Sequence, residues 1–169
     1  MARVLRIAHL RPATDGASRP LAYPERVHEA RGQSAERITV VVADRHDLVR
    51  RALAELIDVE PGFAVVARAG DAASAQDGLR SQRPRLLLLE PLVLGNEGLA
   101  GLPGLLSASP TTRAVVLADE HSPALDRRAH GLGAVLTIVK HAAPDELFRA
   151  LRHAVTLQPR ALPLPATEG

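Results

Sequence analysis

The sequence predicts an α/β fold, a doubly wound, five-stranded parallel sheet in the order 2-1-3-4-5. Three observations carry this. Leu86-Leu87-Leu88-Leu89 is an unbroken apolar run that meets an acid, Glu90. Such a run reads as a strand buried on both faces, as central strands of a parallel sheet are. Ile38-Thr39-Val40-Val41-Val42-Ala43 is a second apolar, β-branched run, and it too ends at an acid, Asp44. Finally, runs of this kind alternate with stretches of helical period, the pattern of a parallel sheet covered by helices on both faces.

The elements follow in order. After the first strand, Val49, Leu53, Leu56 and Ile57 fall on one face of a helix, which Pro61-Gly62 ends. Phe63 to Ala67 is the second strand, and Ala72, Ala75 and Leu79 mark a weaker helix after Asp71. The leucine run is also compatible with a turn of buried helix. Arg83-Pro84 before it and Pro91 after it argue for a strand, because proline punctuates helices at those positions. Beyond Gly95-Asn96-Glu97-Gly98, the spacing of Leu99, Leu102, Leu105 and Leu106 is helical. Gly101, Pro103 and Gly104 spoil it, so a short or broken helix is expected. Ala114 to Leu117 is the fourth strand. Ser122-Pro123 opens the next helix as N-cap and first residue, and Gly131 stops it. Ala134 to Val139 is the fifth strand, ending at Lys140. Pro144-Asp145-Glu146 opens a last helix with Leu147, Phe148, Leu151, Ala154 and Val155 on one face.

Composition sets the limits. The 169 residues suit one domain with extensions, and 46% apolar residues suffice for a core. With Phe63, Phe148 and Tyr23 as the only aromatic residues, that core is aliphatic. The absence of Cys excludes disulfides and thiolate sites. No apolar run approaches the ~18 residues of a membrane span, and no secretory apolar segment stands at the N-terminus. No membrane association and a cytoplasmic location are expected. Residues 1–37 hold seven Arg against four acids and lack a sustained period, so they read as a basic, mostly disordered arm. The domain then runs over 38–155, and 156–169, rich in proline, is a flexible tail. The basic excess behind the pI of 9.9 lies in the arm, which weakens the case for nucleic-acid binding by the domain.

In a doubly wound sheet of this order, strands one and three flank the switch point where open α/β sheets place their sites. Asp44, Glu90 and Lys140, the only lysine of the chain, would meet at one crevice. A carboxylate at Glu90 can equally be just the first exposed residue past its strand.

These residues resemble the receiver domain of bacterial two-component response regulators, in the branch that usually carries a C-terminal helix-turn-helix. The resemblance covers about Ile38 to Val155. It rests on Ala43-Asp44-Arg45-His46-Asp47-Leu48-Val49-Arg50, on Arg83-Pro84-Arg85-Leu86 through Glu90, on Gly95 and Gly98, and on Gly133-Ala134 with Lys140. It implies a flavodoxin-like fold and a pocket with two acids after strand one, a phosphorylatable Asp after strand three, a hydroxyl after strand four and a Lys after strand five. This chain departs from that pattern. The second acid is Arg45, the acceptor position is Glu90, the hydroxyl position is Ala118, and the aromatic three residues before the lysine is Thr137. Asp44 and Lys140 remain.

Phosphoryl transfer to a carboxylate needs Mg²⁺ held by oxygen ligands. Arg45 removes one ligand and places a cation there. Its guanidinium can fork onto carboxylate oxygens, so Arg45 is expected to pair with Glu90 or Asp44. Glu90, one methylene longer than Asp, is expected to reach Lys140 in a salt bridge. Without a hydroxyl at Ala118 the ordinary switch lacks its pull. The alternative is an inherited crevice that only holds loops together.

The expectation is therefore a degenerate, stand-alone receiver domain, not an enzyme, without cofactor or metal, that acts by binding a protein such as a histidine kinase or a separate output protein. A homodimer is compatible with this. Family practice points to the face of the fourth helix, fifth strand and fifth helix, with Leu125, Arg128, Thr137, Phe148 and Arg152. One alternative is a transcription regulator that contacts DNA through the Arg-rich arm, with a steep salt dependence. Another is a phosphorylatable receiver using Asp44 or Glu90. His46 and His141 would both lie near the crevice, but the histidines show no metal-ligand spacing. The residues after Val155 are too few for a helix-turn-helix.

Overall fold

The computed structural model describes residues 36–159. Most of the arm and of the tail expected over 1–37 and 156–169 lies outside the described residues. Strand β1 (Ile38–Ala43) is followed by helix α1 (Asp47–Val59), β2 (Phe63–Ala69), α2 (Ala72–Gln82) and β3 (Leu86–Leu89). A 3₁₀ segment (Pro91–Gly101) leads into α3 (Leu102–Leu106), then β4 (Arg113–Ala118), α4 (Pro123–Gly131), β5 (Ala134–Val139) and α5 (Pro144–Ala154). The sheet is all parallel in the order β2-β1-β3-β4-β5, as the sequence predicts.

The leucine run is a strand because each of its faces has an apolar layer to enter. Side chains alternate across a strand. Leu87 and Leu89 pack with Val41, Val116 and the apolar residues of α2, the 3₁₀ segment and α3. Leu86 and Leu88 pack with Val40, Val42, Val115, Leu117 and the apolar faces of α1 and α5. All four leucines are fully buried.

Local signals set the helix ends. The Asp71 carboxylate accepts from Ser74 N at 2.8 Å and the Asp71 amide is met by Ser74 Oγ, a reciprocal cap for α2. The backbone and hydroxyl of Ser74 hold the Asp71 carboxyl below its usual pKa. Ser122 caps α4 ahead of Pro123. The helix after β3 is short, as expected, but Pro103 and Gly104 lie inside α3, where the first turn tolerates proline, and the breaks fall earlier. Gly95 (φ 64°, ψ −140°) and Gly98 (φ 51°, ψ −138°) occupy backbone conformations that essentially only glycine adopts, and they interrupt the turn twice.

Every strand ends at one edge of the sheet. Ala43 pairs with Leu89 and Ala118 with Val139, so Asp44, Glu90, Asp119 and Lys140 each stand one residue past their strands. The backbone ladder continues through them: Glu90 N donates to Ala43 O at 2.8 Å and Lys140 N to Ala118 O at 2.8 Å.

Candidate functional site

Two carboxylates are buried at this edge. Asp44 is 0% exposed and Glu90 3%. Glu90 is thus no ordinary first exposed residue past a strand, and its burial marks the site.

Asp44 is held from three directions. Its Oδ1 accepts from His46 N at 2.8 Å, and His46 Nδ1 lies 3.3 Å from the same oxygen. Its Oδ2 faces Lys140 Nζ at 3.1 Å. Its carbonyl accepts from Arg50 Nη1 at 2.7 Å, while Arg50 Nη2 donates to Asp47 Oδ1 at 2.5 Å. Gly70 makes room for that guanidinium, because a Cβ there would stand 3.0 Å from Arg50 Nη1. Lys140 also reaches Asp119 Oδ1 at 3.7 Å, but the Asp119 side chain is 84% exposed and water weakens that contact.

Glu90 is held differently. Its Oε1 accepts from Leu92 N at 3.0 Å, and its Oε2 is buried without a hydrogen-bond partner among the described residues. The expected salt bridge to Lys140 is not made. Its carboxylate folds back onto the amide two residues along, as that of Asp44 does, and caps the 3₁₀ segment. Lys140 takes the acid that His46 N holds in place.

Arg45 also differs from expectation. It is exposed and makes no hydrogen bond or ion pair among the described residues, so it bridges neither Asp44 nor Glu90. The guanidinium that secures this loop is Arg50, one turn into α1. The sequence offered Arg50 only as part of a matching stretch, with no signal for its contact.

Ala118 is buried at the end of β4, so no side chain of that position offers a hydroxyl to the crevice. Thr137 is half-buried and its Oγ1 has no partner among the described residues. Of the residues named for a partner face, Arg128 is exposed and Leu125 packs partly into the core. Phe148 is a correction. It is 7% exposed and its ring stacks 5.6 Å from that of Phe63. Burial of a phenyl ring on the apolar face of α5 outweighs anything an exposed position could offer it. Arg152 lies over the Phe63 ring at 5.0 Å and donates to Glu60 Oε1 at 2.6 Å, so it staples α5 to the end of α1.

His141 is exposed and is not grouped with His46. His46 instead joins the two acids: one ligand atom from each of Asp44, His46 and Glu90 lies within 4.8 Å of the others.

This architecture, with its acids and lysine at the carboxyl edge of a 2-1-3-4-5 sheet, defines a signal-receiver protein. The chain belongs to the response regulator receiver domain family, whose pattern it matches over residues 40–152. It is similar to the transcriptional regulatory protein UhpA of Escherichia coli, 33% identical over 120 residues, covering 70% of this chain and 59% of UhpA. It is also similar to the nitrate/nitrite response regulator protein NarP of E. coli, 31% identical over 113 residues, covering 67% of this chain and 53% of NarP. The chain thus spans between half and three-fifths of the length of these relatives. Among solved structures it resembles the signal receiver domain of the putative response regulator NarL from Mycobacterium tuberculosis. That match has a TM-score of 0.65 and 25% identity, over 72% of this chain and 98% of that one.

Receiver chemistry implies magnesium, which takes hard oxygen donors in a near-octahedral array at about 2.0–2.1 Å. Of the three donors that converge here, one is an imidazole nitrogen rather than an oxygen. The second acid position is an arginine. These residues do not fit a magnesium centre.

Proposed function

We propose that this chain is a degenerate receiver domain that works without phosphorylation, by binding a protein partner. The observation that carries the reading is the acceptor position. Glu90 is buried, its Oε1 is tied to Leu92 N, and Lys140 is committed to Asp44 rather than to it. A phosphorylated acceptor would need a cation beside it, a hydroxyl from β4 and the lysine. Arg45 stands clear of the site, Ala118 supplies no hydroxyl and the lysine is spent elsewhere. The protein then holds one state and serves as a docking element rather than an enzyme. A histidine kinase or a separate output protein is the class of partner, met in the cytoplasm. Among the described residues no helix is long and apolar enough to cross a membrane. With Phe148 in the core and Arg152 turned to Glu60, Arg128 and the half-buried Leu125 and Thr137 are what remains of the expected partner face. The domain limits of 38–155, with an arm before and a tail after, are part of this reading.

The test is intact-mass measurement after incubation with acetyl phosphate or phosphoramidate and Mg²⁺. No phosphoryl adduct is expected on the native chain. The Arg45→Asp, Glu90→Asp, Ala118→Thr triple variant should gain one. A stable, Mg²⁺-dependent adduct on the native chain would overturn the reading and favour a phosphorylatable receiver using Asp44 or Glu90.

A second reading has one observation in its favour. UhpA and NarP, by their names, are a transcriptional regulatory protein and a nitrate/nitrite response regulator. On that reading the Arg-rich arm contacts DNA, and affinity should fall steeply with salt. Binding that is indifferent to removal of residues 1–35 would exclude it.

A further inference from the structure

We propose that Asp44, His46 and Glu90 form a site for a divalent ion of the zinc class, which a magnesium-type receiver pocket is not. The inference goes beyond the proposed function and would stand if that function were revised.

The donor set comes first. A carboxylate oxygen from each acid and a ring nitrogen of His46 lie within 4.8 Å of one another. Zinc takes nitrogen and oxygen donors at about 2.0–2.2 Å, which puts neighbouring ligand atoms of a tetrahedral site roughly 3.4 Å apart. His46 Nδ1 and Asp44 Oδ1 already stand 3.3 Å apart, and His46 is half-exposed at 52% while both acids are buried, so its ring has room to adjust. The second point is polar satisfaction. Glu90 Oε2 is buried without a partner among the described residues, and Asp44 Oδ2 has its lysine but no hydrogen bond of good geometry. Buried polar atoms normally have partners, and an orphan calls for an explanation such as an ion.

Charge points the same way. Of the two buried carboxylates only Asp44 has an ammonium, Lys140; Arg50 spends its guanidinium on the Asp44 carbonyl and on Asp47. Selectivity follows from ligand type. Imidazole suits zinc, cobalt, nickel and copper, while magnesium favours oxygen alone. Arg45 deprives the pocket of an oxygen ligand, and His46, next in the chain, supplies a nitrogen in its place. Three protein ligands leave a fourth position for water or a partner's side chain.

The test is calorimetric titration of the chelator-treated full chain with Zn²⁺, Co²⁺ and Mg²⁺. One Zn²⁺ should bind per chain at least a hundredfold more tightly than Mg²⁺. Bound Co²⁺ should develop visible d–d absorption. His46→Gln, an exposed substitution that leaves the fold intact, should weaken Zn²⁺ at least tenfold and abolish the Co²⁺ band. Glu90→Gln should act likewise, and His141→Gln should change neither. Mg²⁺ binding as tight as Zn²⁺, or Zn²⁺ binding unmoved by His46→Gln, would overturn the proposal and reduce any bound zinc to an adventitious ion on surface histidines.

Discussion

Asp44 and Glu90 stand one residue past neighbouring strands, both buried, both carboxylates, and the fold treats them in opposite ways. Asp44 has an ion pair, a backbone donor and an imidazole; Glu90 has a single amide and one unpartnered oxygen. Both accept from the amide two residues along, so the difference lies in the second oxygen. Asp44 turns Oδ1 back onto His46 N and presents Oδ2 to Lys140. Glu90 turns Oε1 back onto Leu92 N, capping the segment that follows, and its Oε2 meets no partner among the described residues. One acid is thereby a structural tie between the first and last strands, and the other is left with capacity to spare.

The lysine is where these two acids differ most. Lys140→Met leaves Asp44 buried and unpaired, so denaturant unfolding should report a loss of about 3 kcal/mol, the low end for breaking a buried pair. Asp44→Asn should rescue part of that loss in the double variant, because partners in contact are not additive. Glu90→Gln combined with Lys140→Met should add to within about 0.5 kcal/mol, since those two side chains do not meet. A strong coupling there would put Lys140 on Glu90 after all.

Arg50→Met is expected to have the next largest effect. It removes a charged donor from the Asp44 carbonyl and should cost about 1.5 kcal/mol by the same measurement. Glu90→Gln alone should change stability by less than about 1 kcal/mol in either direction. The amide keeps an oxygen for Leu92 N and relieves a buried charge, at the expense of a new buried donor.

The smallest effect lies away from the crevice and serves as its control. Asp71, exposed at the start of α2, has a lowered pKa because Ser74 donates to its charged form. Its contribution is therefore present above the unfolded carboxyl pKa, near 3.8, and is lost as pH falls through the lower folded value. Asp71→Asn should flatten the stability profile below about pH 4 and leave the crevice variants' effects unchanged.

Much of the fold was legible along the chain because the signals are local. Unbroken apolar runs need two covering layers, so Ile38–Ala43 and Leu86–Leu89 could only be inner strands. Asp71 and Ser122 cap helices through amides three residues away, and Pro123 and Pro144 open them. The short helix after β3 was legible too, although Gly95 and Gly98, rather than Gly101, Pro103 and Gly104, make the breaks. The burial of Phe148 was legible too. It lies on the apolar face with Leu147 and Leu151, and that periodicity outranks an analogy that would place it on a docking face.

The crevice was legible only as a set of positions. Topology brings Asp44, Glu90 and Lys140 to one edge, and that much followed from the strand order. Which acid the lysine takes depends on side-chain trajectories across three strands, on the amide of Leu92 competing for Glu90, and on His46 N orienting Asp44. Arg45 and Arg50 have the same charge and lie five residues apart. Only the start of α1, and the space that Gly70 leaves, decided that Arg50 turns inward and Arg45 outward. Sequence alone determined which residues reach the site; the packed loops around it determined which of them touch, because contact at 3 Å is settled by neighbours that no local pattern encodes.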